Sequence, residues 1–352
     1  MSYSASLGKK IRCAGCEVSQ MLLISRQLRL LLTVVAYSIV VTIPVSFSFA
    51  QPTLPERYVY VWFPDGTLHR LSPAPGFFLQ PSVRPDGKAA VFWGGAEGQP
   101  RVWLSEFASN AARPITTIGV GSVEPTFDWQ GRRIVFASDV SSPTHLDMLG
   151  VRGARRPSAD LEVNRLNLFV INADGTQNRQ ITTGPFKDSR PAFDPEGKNI
   201  VFLSNRGGGE DGLYITSVDG LSTPRRLLKE PGIGRPWFSP DGQFVYFFFT
   251  GVPDEHRRIC RTPVSGGSWE PVTPDGLPRS QGSFADPDGL HVWFHAFKGG
   301  KPTPYRFNIQ TKALDPQMPP GFTSAGHVTR SRNGIITFDS EELVGPGNSA
   351  EK

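Results

Sequence analysis

The chain has 352 residues and a formal net charge of +5, and its 37 glycines and 32 prolines argue against a helical protein and for many short strands joined by turns. Of that charge, +4 sits in residues 1–50, where Lys9, Lys10, Arg12, Arg26 and Arg29 face only Glu17. The rest is nearly neutral, which excludes nucleic acid as a partner, because phosphate binding needs a concentrated basic surface.

From the N-terminus, Leu30 to Ile43 is an apolar run without charge, preceded by Arg26 and Arg29 and followed by Pro44 and Ser48-Phe49-Ala50. This is the pattern of a secretory signal with small residues at the cleavage site. Residues 1–50 are therefore expected to be an export signal, cut near Ala50/Gln51, and the protein periplasmic or secreted. The leader is long when counted from Met1. A start at Met21 gives an ordinary signal of about 30 residues, so residues 1–20 are expected to be a start-site artefact. The run is short for a spanning helix, and membrane contact is expected only through this segment, if uncleaved. Cys13 and Cys16 fall inside the leader, so Cys260 is the one cysteine left after cleavage and no intramolecular disulfide is expected. Residues 51–57 read as a short linker.

Six segments downstream share one pattern: PSVRPDGKAAVFW from Pro81, PTFDWQGRRIVFASD from Pro125, PAFDPEGKNIVFLSN from Pro191, PWFSPDGQFVYFFFT from Pro236, GSFADPDGLHVWFHA from Gly282 and HVTRSRNGIITFDS from His327. They start 44, 66, 45, 46 and 45 residues apart. Removing one insertion of about 21 residues after Ser138 makes the period nearly constant. In each unit a short strand runs into a tight turn where glycine takes a positive φ, and a continuously apolar strand returns, as expected of a strand buried on both faces. An outer pair of strands follows around a second glycine turn, as in LFVINADGTQNRQIT from Leu168. Four strands in about 45 residues make one propeller blade. Tyr58–Ser72 matches an outer pair with no inner pair ahead of it, and His327–Phe338 an inner pair with no outer pair behind. The two halves are expected to form one blade, giving an all-β, six-bladed propeller over 58–340, with 341–352 a flexible tail.

These repeats resemble those of the TolB-like propeller family, most closely at Pro236-Trp237-Phe238-Ser239-Pro240-Asp241-Gly242 and at Phe202-Leu203-Ser204-Asn205-Arg206 with Leu213-Tyr214. The resemblance implies an exported protein that docks a protein partner at its channel mouth. With only about eight residues between Ala50 and the first strand, the α/β domain that precedes the propeller in the type member of the family is not expected.

No G-x-S-x-G elbow marks an attached hydrolase. Gly207, Gly209 and Gly212 fit a dinucleotide fingerprint only formally, since no helix follows to supply a dipole. His291 and His295 share a strand face, and Asp286 or Asp288 could complete a metal set; the reading preferred here packs both histidines between blades with Asp288 pointing elsewhere, so no metal and no cofactor are expected. His256 falls in a charged loop.

The candidate site follows from topology. The residue ahead of each inner-strand Pro-x-Phe falls at one channel mouth, and these are Gln80, Glu124, Arg190, Arg235, Gln281 and His327. Two arginines in such a ring suit a carboxylate or phosphate. The long loop Ser141–Arg165, with Arg152, Arg155 and Arg156, is expected to cap that mouth. The function expected is a non-enzymatic, monomeric binding or scaffolding propeller for a protein, a peptide or an envelope glycan. The alternative is a metal-dependent enzyme of the lyase or lactonase kind, for which the ring offers few carboxylates. A third reading, a spacer in a surface complex, requires apolar patches on the outer edges of the blades.

Overall fold

A computed structural model describes residues 56–342 apart from 74–75, 96–99, 110, 117–120, 140–164, 209–211, 251–257 and 275–279. The expected signal 1–50, most of the linker 51–57, His256, the loop arginines Arg152, Arg155 and Arg156, and nearly all of the tail 341–352 lie outside the described residues.

The repeats fold as six four-stranded antiparallel sheets, with no helix among the described residues. The chain enters through β1 (Tyr58–Trp62) and β2 (Leu68–Arg70). Blade 1 then runs β3 (Phe77–Val83), β4 (Ala89–Gly95), β5 (Arg101–Glu106) and β6 (Ala111–Pro114). Blade 2 is β7 (Ser122–Phe127), β8 (Arg133–Ser138), β9 (Asn167–Asn172) and β10 (Arg179–Gln180). Blade 3 is β11 (Asp188–Phe193), β12 (Asn199–Ser204), β13 (Gly212–Ser217) and β14 (Arg225–Leu228). Blade 4 is β15 (Trp237–Phe238), β16 (Phe244–Phe249), β17 (Arg258–Pro263) and β18 (Glu270–Pro271). Blade 5 is β19 (Ser280–Ala285), β20 (His291–Lys298), β21 (Lys301–Asn308) and β22 (Leu314–Pro316). Blade 6 combines β23 (Gly326–Arg330) and β24 (Ile336–Ser340) with β1 and β2, in the order β2-β1-β24-β23. The two chain ends therefore close the ring, with Tyr58 opposite Ser340 and Trp62 opposite Ile336.

The second strand of each blade is apolar along its length because sheets pack on both of its faces; Val91, Ile134, Val201 and Val245 have no exposed surface. The turn that leads into it uses glycine for its conformational freedom: Gly87, Gly131, Gly197, Gly242, Gly289 and Gly334 all have φ between 69° and 86°. An L side chain there costs about 1–2 kcal/mol. A polar residue at the end of the first strand ties the turn back, as where Asp128 Oδ1 accepts from Arg132 N–H (2.7 Å) and Ser331 Oγ from Ile335 N–H (3.0 Å).

Two sets of bonds join neighbouring blades. Around the channel, Thr329 Oγ1 accepts from Val83 N–H (3.0 Å), Ser82 Oγ from Phe127 N–H (3.3 Å), and Thr126 Oγ1 donates to Pro191 O (2.5 Å), linking blades 6, 1, 2 and 3. In the remaining sector Trp237 and Phe284 meet edge to face at 5.4 Å. At the rim, Arg113 donates to Asp174 O (3.3 Å), Arg179 to Asp219 O (2.6 Å) and Arg225 to Ser265 O (2.9 Å), each reaching from a fourth strand to the next blade.

Candidate functional site

The inner strands do not run straight past the channel mouth. A register shift interrupts β3, β7, β11 and β23, and within it Gln80, Glu124, Arg190 and His327 take φ of 52°, 57°, 53° and 44°. None is glycine, and each left-handed residue costs of order 1–3 kcal/mol. Such cost persists where the surroundings hold the geometry, and here carboxylates do so: Glu124 Oε2 accepts from Arg190 N–H (2.7 Å), and Asp339 Oδ2 accepts from Gln80 N–H (2.8 Å). Sequence periodicity placed these four residues in equivalent positions; it gave no sign that their backbones would be left-handed.

Two of the ring side chains are engaged in the scaffold. Gln80 Oε1 accepts the indole N–H of Trp93 (2.8 Å), and Glu124 holds the next blade, with its Oε1 3.6 Å from Arg190 Nε. Arg190 keeps 44% of its side chain exposed and is the most open cation of the ring. Arg235 is buried, with its guanidinium 5.4 Å from the centre of the Trp237 ring. Burial pulls its pKa down to about 10 against the attraction of Glu124, and the charge of Arg190 pulls the same way. Gln281 pairs with His295 in the β19–β20 ladder; its side chain lies outside the described residues, as does nearly all of the expected capping loop.

Asp339 and Arg57 complete the mouth, and neither was singled out from the sequence. Asp339 has no exposed surface, and its Oδ1 accepts from Arg57 Nε (2.9 Å) while its Oδ2 lies 2.8 Å from His327 Nδ1. Burial alone would raise this carboxyl. Arg57, His327 and the Gln80 N–H outweigh it and hold the group well below the usual carboxylate range. Arg57, assigned to the linker by sequence, is bridged to Phe77 and belongs to the propeller. The pairing was illegible because 282 residues separate the partners; the one signal was that Asp339 puts a carboxylate at the repeat position where Ala137 and Leu203 are apolar.

His295 packs against His327 with ring centres 5.2 Å apart. Burial, reinforced by the charge of His327, pushes its pKa down to about 3. His291 lies four residues away along β20, about 13 Å at 3.3 Å per residue, and belongs to a different cluster. Its Nδ1 is 2.8 Å from Asp288 Oδ2 and its Nε2 3.1 Å from Asn308 Nδ2. The expectation that Asp288 points elsewhere is thus corrected: the turn folds back, so a side chain three residues away reaches the ring. Asp286 binds Trp293 Nε1 (2.8 Å) and Arg330 Nη1 (3.0 Å) instead. Among the described residues no three His, Cys, Asp or Glu side chains are grouped to hold a metal.

The mouth therefore offers a rigid, polar rim with an exposed Arg190, a buried Arg235 behind it, and a His327–Asp339–Arg57 network at the seam of the ring. That arrangement suits recognition of an anionic group by charge-assisted hydrogen bonds.

No protein-family model matches the chain. Among curated proteins it is similar to the Tol-Pal system protein TolB of Bordetella pertussis, 28% identical over 224 residues, which are 63% of this chain and 45% of that protein. The chain thus spans less than half the length of that relative. Among solved structures it is similar to a putative TolB from Agrobacterium tumefaciens (TM-score 0.59, 14% identity, 83% of this chain and 100% of that one). It also resembles an oligogalacturonate lyase from Vibrio parahaemolyticus (TM-score 0.53, 11% identity, 77% and 80%). At these identities the structural likenesses speak to the fold alone.

Proposed function

We propose that this TolB-like six-bladed β-propeller is an exported binding or scaffolding protein that presents its channel-mouth face to a protein or peptide partner in the periplasm. The observation that carries the reading is the set of four left-handed, non-glycine residues at equivalent mouth positions, two of which, Arg190 and Gln80, are held at their N–H by Glu124 and Asp339. A fold that sustains such cost four times at one end of its channel keeps a defined surface there. Arg190 and Arg235 make an acidic side chain or a chain terminus the fitting ligand group. The relative named as a Tol-Pal system protein supports an envelope setting.

The test compares capture of envelope proteins and of envelope glycans by the unmodified chain, by Arg190→Gly and by an outer-edge control, Leu221→Ser. Glycine adopts φ 53° without strain, so Arg190→Gly removes the exposed guanidinium while the fold stands; Leu221 is 88% exposed in blade 3. The expected result is a protein captured by the unmodified chain and by Leu221→Ser, and lost with Arg190→Gly. Equal capture by all three overturns the reading. Stoichiometric metal found by mass spectrometry after dialysis would favour the lyase or lactonase alternative instead. The spacer reading gains nothing from the surface: the exposed large apolar residues among those described, Leu221, Leu290 and Leu314, fall in three different segments.

A further inference from the structure

At the end of the channel opposite the mouth, the inner pair of each blade closes in a turn. The two residues ahead of the turn glycine are Pro85-Asp86, Trp129-Gln130, Pro195-Glu196, Pro240-Asp241, Pro287-Asp288 and Arg332-Asn333 in blades 1 to 6. Four of the six turns carry a proline and a carboxylate. Blades 2 and 6 depart from the repeat at both positions, and in each an amide stands in place of the carboxylate. These two blades flank blade 1, and their turns meet over it. Arg332 N–H donates to Pro85 O (3.3 Å), Asn333 Nδ2 to Asp86 O (3.3 Å) and Arg332 Nη2 to Trp129 O (3.1 Å). The three turns border an open groove of about 670 Å³, within the range of about 300–1,000 Å³ in which small-molecule sites fall. We propose that this groove binds a phosphate monoester as its dianion.

Charge selects the anion. Arg132 and Arg332 line the groove, both are exposed, and neither side chain forms an ion pair among the described residues. The carboxylate of the groove is already engaged: Asp86 Oδ1 accepts from Arg84 Nε (2.8 Å) and from Lys88 N–H (3.0 Å). Asp128 is buried and accepts from Arg133 Nε (3.0 Å). Two unneutralised guanidiniums match the charge of nearly −2 on a phosphate monoester at neutral pH. A carboxylate, a sulfate ester or a phosphate diester brings a single charge. The amides at 130 and 333 serve the same end, because the carboxylates found in the other four turns would set negative charge beside the ligand.

What else lines the groove is committed to the scaffold. Gln130 Nε2 donates to Pro195 O (2.9 Å), Asn333 Oδ1 accepts from Ser331 Oγ (2.5 Å), and Trp129 Nε1 donates to Phe193 O (3.2 Å). Few groups are therefore left to pair the hydroxyls of a neutral sugar. Half-buried Trp129 and Pro85 form an apolar wall for the organic part of the ester. Blades 1 and 2 are locked turn to turn, since a Cβ at Gly131 would lie 2.7 Å from Arg84 Cγ. The groove is thus built before a ligand arrives, which lowers the cost of binding.

The experiment is isothermal titration of the full chain with phenyl phosphate as probe and phenyl sulfate, of the same shape and a single charge, as control. Phenyl phosphate is expected to bind about tenfold tighter, the worth of one further charge-assisted contact. In Arg132→Gln/Arg332→Gln the two affinities should converge within about twofold. A second variant, Gln130→Glu/Asn333→Asp, restores the carboxylates of the other turns and so keeps the fold; it should weaken phenyl phosphate about tenfold with both arginines in place. Arg190→Gly, at the other end of the channel, should bind phenyl phosphate unchanged, so this site and the mouth stand or fall separately. No binding of phenyl phosphate, equal affinity for phosphate and sulfate, or either double variant binding as before would overturn the proposal. So would loss of binding in Arg190→Gly. Phosphatidylcholine vesicles containing phosphatidic acid separate two sources of the group. Sedimentation of the chain with them, lost in Arg132→Gln/Arg332→Gln, supports a lipid headgroup; a chain that binds phenyl phosphate and stays in solution supports a soluble ester.

Discussion

His295 shows how a single side chain ties the mouth to pH. Its pKa is about 3 in the folded protein and near 6.5 when exposed, so between those values the unfolded chain binds more protons than the folded one. Its contribution to stability is complete above pH 6.5 and is lost as the pH falls toward 3, at up to about 1.4 kcal/mol per pH unit. Asp188, whose carboxyl is pushed up by burial, biases the balance the other way. The measurement is therefore a difference: urea midpoints from pH 7 to pH 4 for the unmodified chain and for His295→Gln. The variant is expected to show the shallower loss; identical profiles would show that the buried ring does not titrate across unfolding. His295 had been read from the sequence as a strand histidine packed between blades, and its burial bears that out. Its neighbour His327 was read as a mouth residue, and nothing in the spacing placed the two rings together.

At the scale of the element, the fourth strand of a blade is two to four residues long in most blades and buries little of itself, as at β10 and β18. Edges this short are held by what crosses them. Arg113, Arg179 and Arg225 recur at the intervals of the repeat and each donates to carbonyls of the next blade; at the fourth blade Glu270 stands in that place and binds Arg261 of its own blade instead. Arg225→Ala is expected to cost about 1 kcal/mol, the net worth of a hydrogen bond to carbonyls, and Glu270→Ala less than half of that, as for an exposed ion pair. Denaturant unfolding of the two variants checks the order, and a larger loss with Glu270→Ala would remove the inter-blade role of the arginine. This series was present in the sequence, spaced like the inner-strand prolines. It is readable only once the target is known, because the acceptors are backbone carbonyls, which carry no sequence signature.

For the whole molecule, ring closure joins strands from the two ends of the chain, and the Arg57–Asp339 pair stands at that seam. Asp339→Asn leaves Arg57 without its buried counter-charge and is expected to cost about 3–5 kcal/mol. Chemical denaturation should show a lower midpoint with an unchanged slope; a cost below about 1 kcal/mol, the level of a surface ion pair, would mean the seam is held by the β1–β24 ladder alone. Six blades, their turns and the shared sixth blade were determined by the sequence, since the alternation of turn glycines and doubly buried strands repeats along the chain and needs no distant contact to be seen. The mouth positions followed from the same period. Tertiary structure alone decided what those positions do: which of them spend their side chains on the scaffold, as Gln80 and Glu124 do, and which carboxylates hold the left-handed backbones of Gln80 and Arg190. It also brought Trp129, Arg132 and Arg332 into one groove at the other end of the channel. Those are relations between blades, and a repeat specifies each blade in the same words while leaving unsaid how the charges of one meet the backbone of the next.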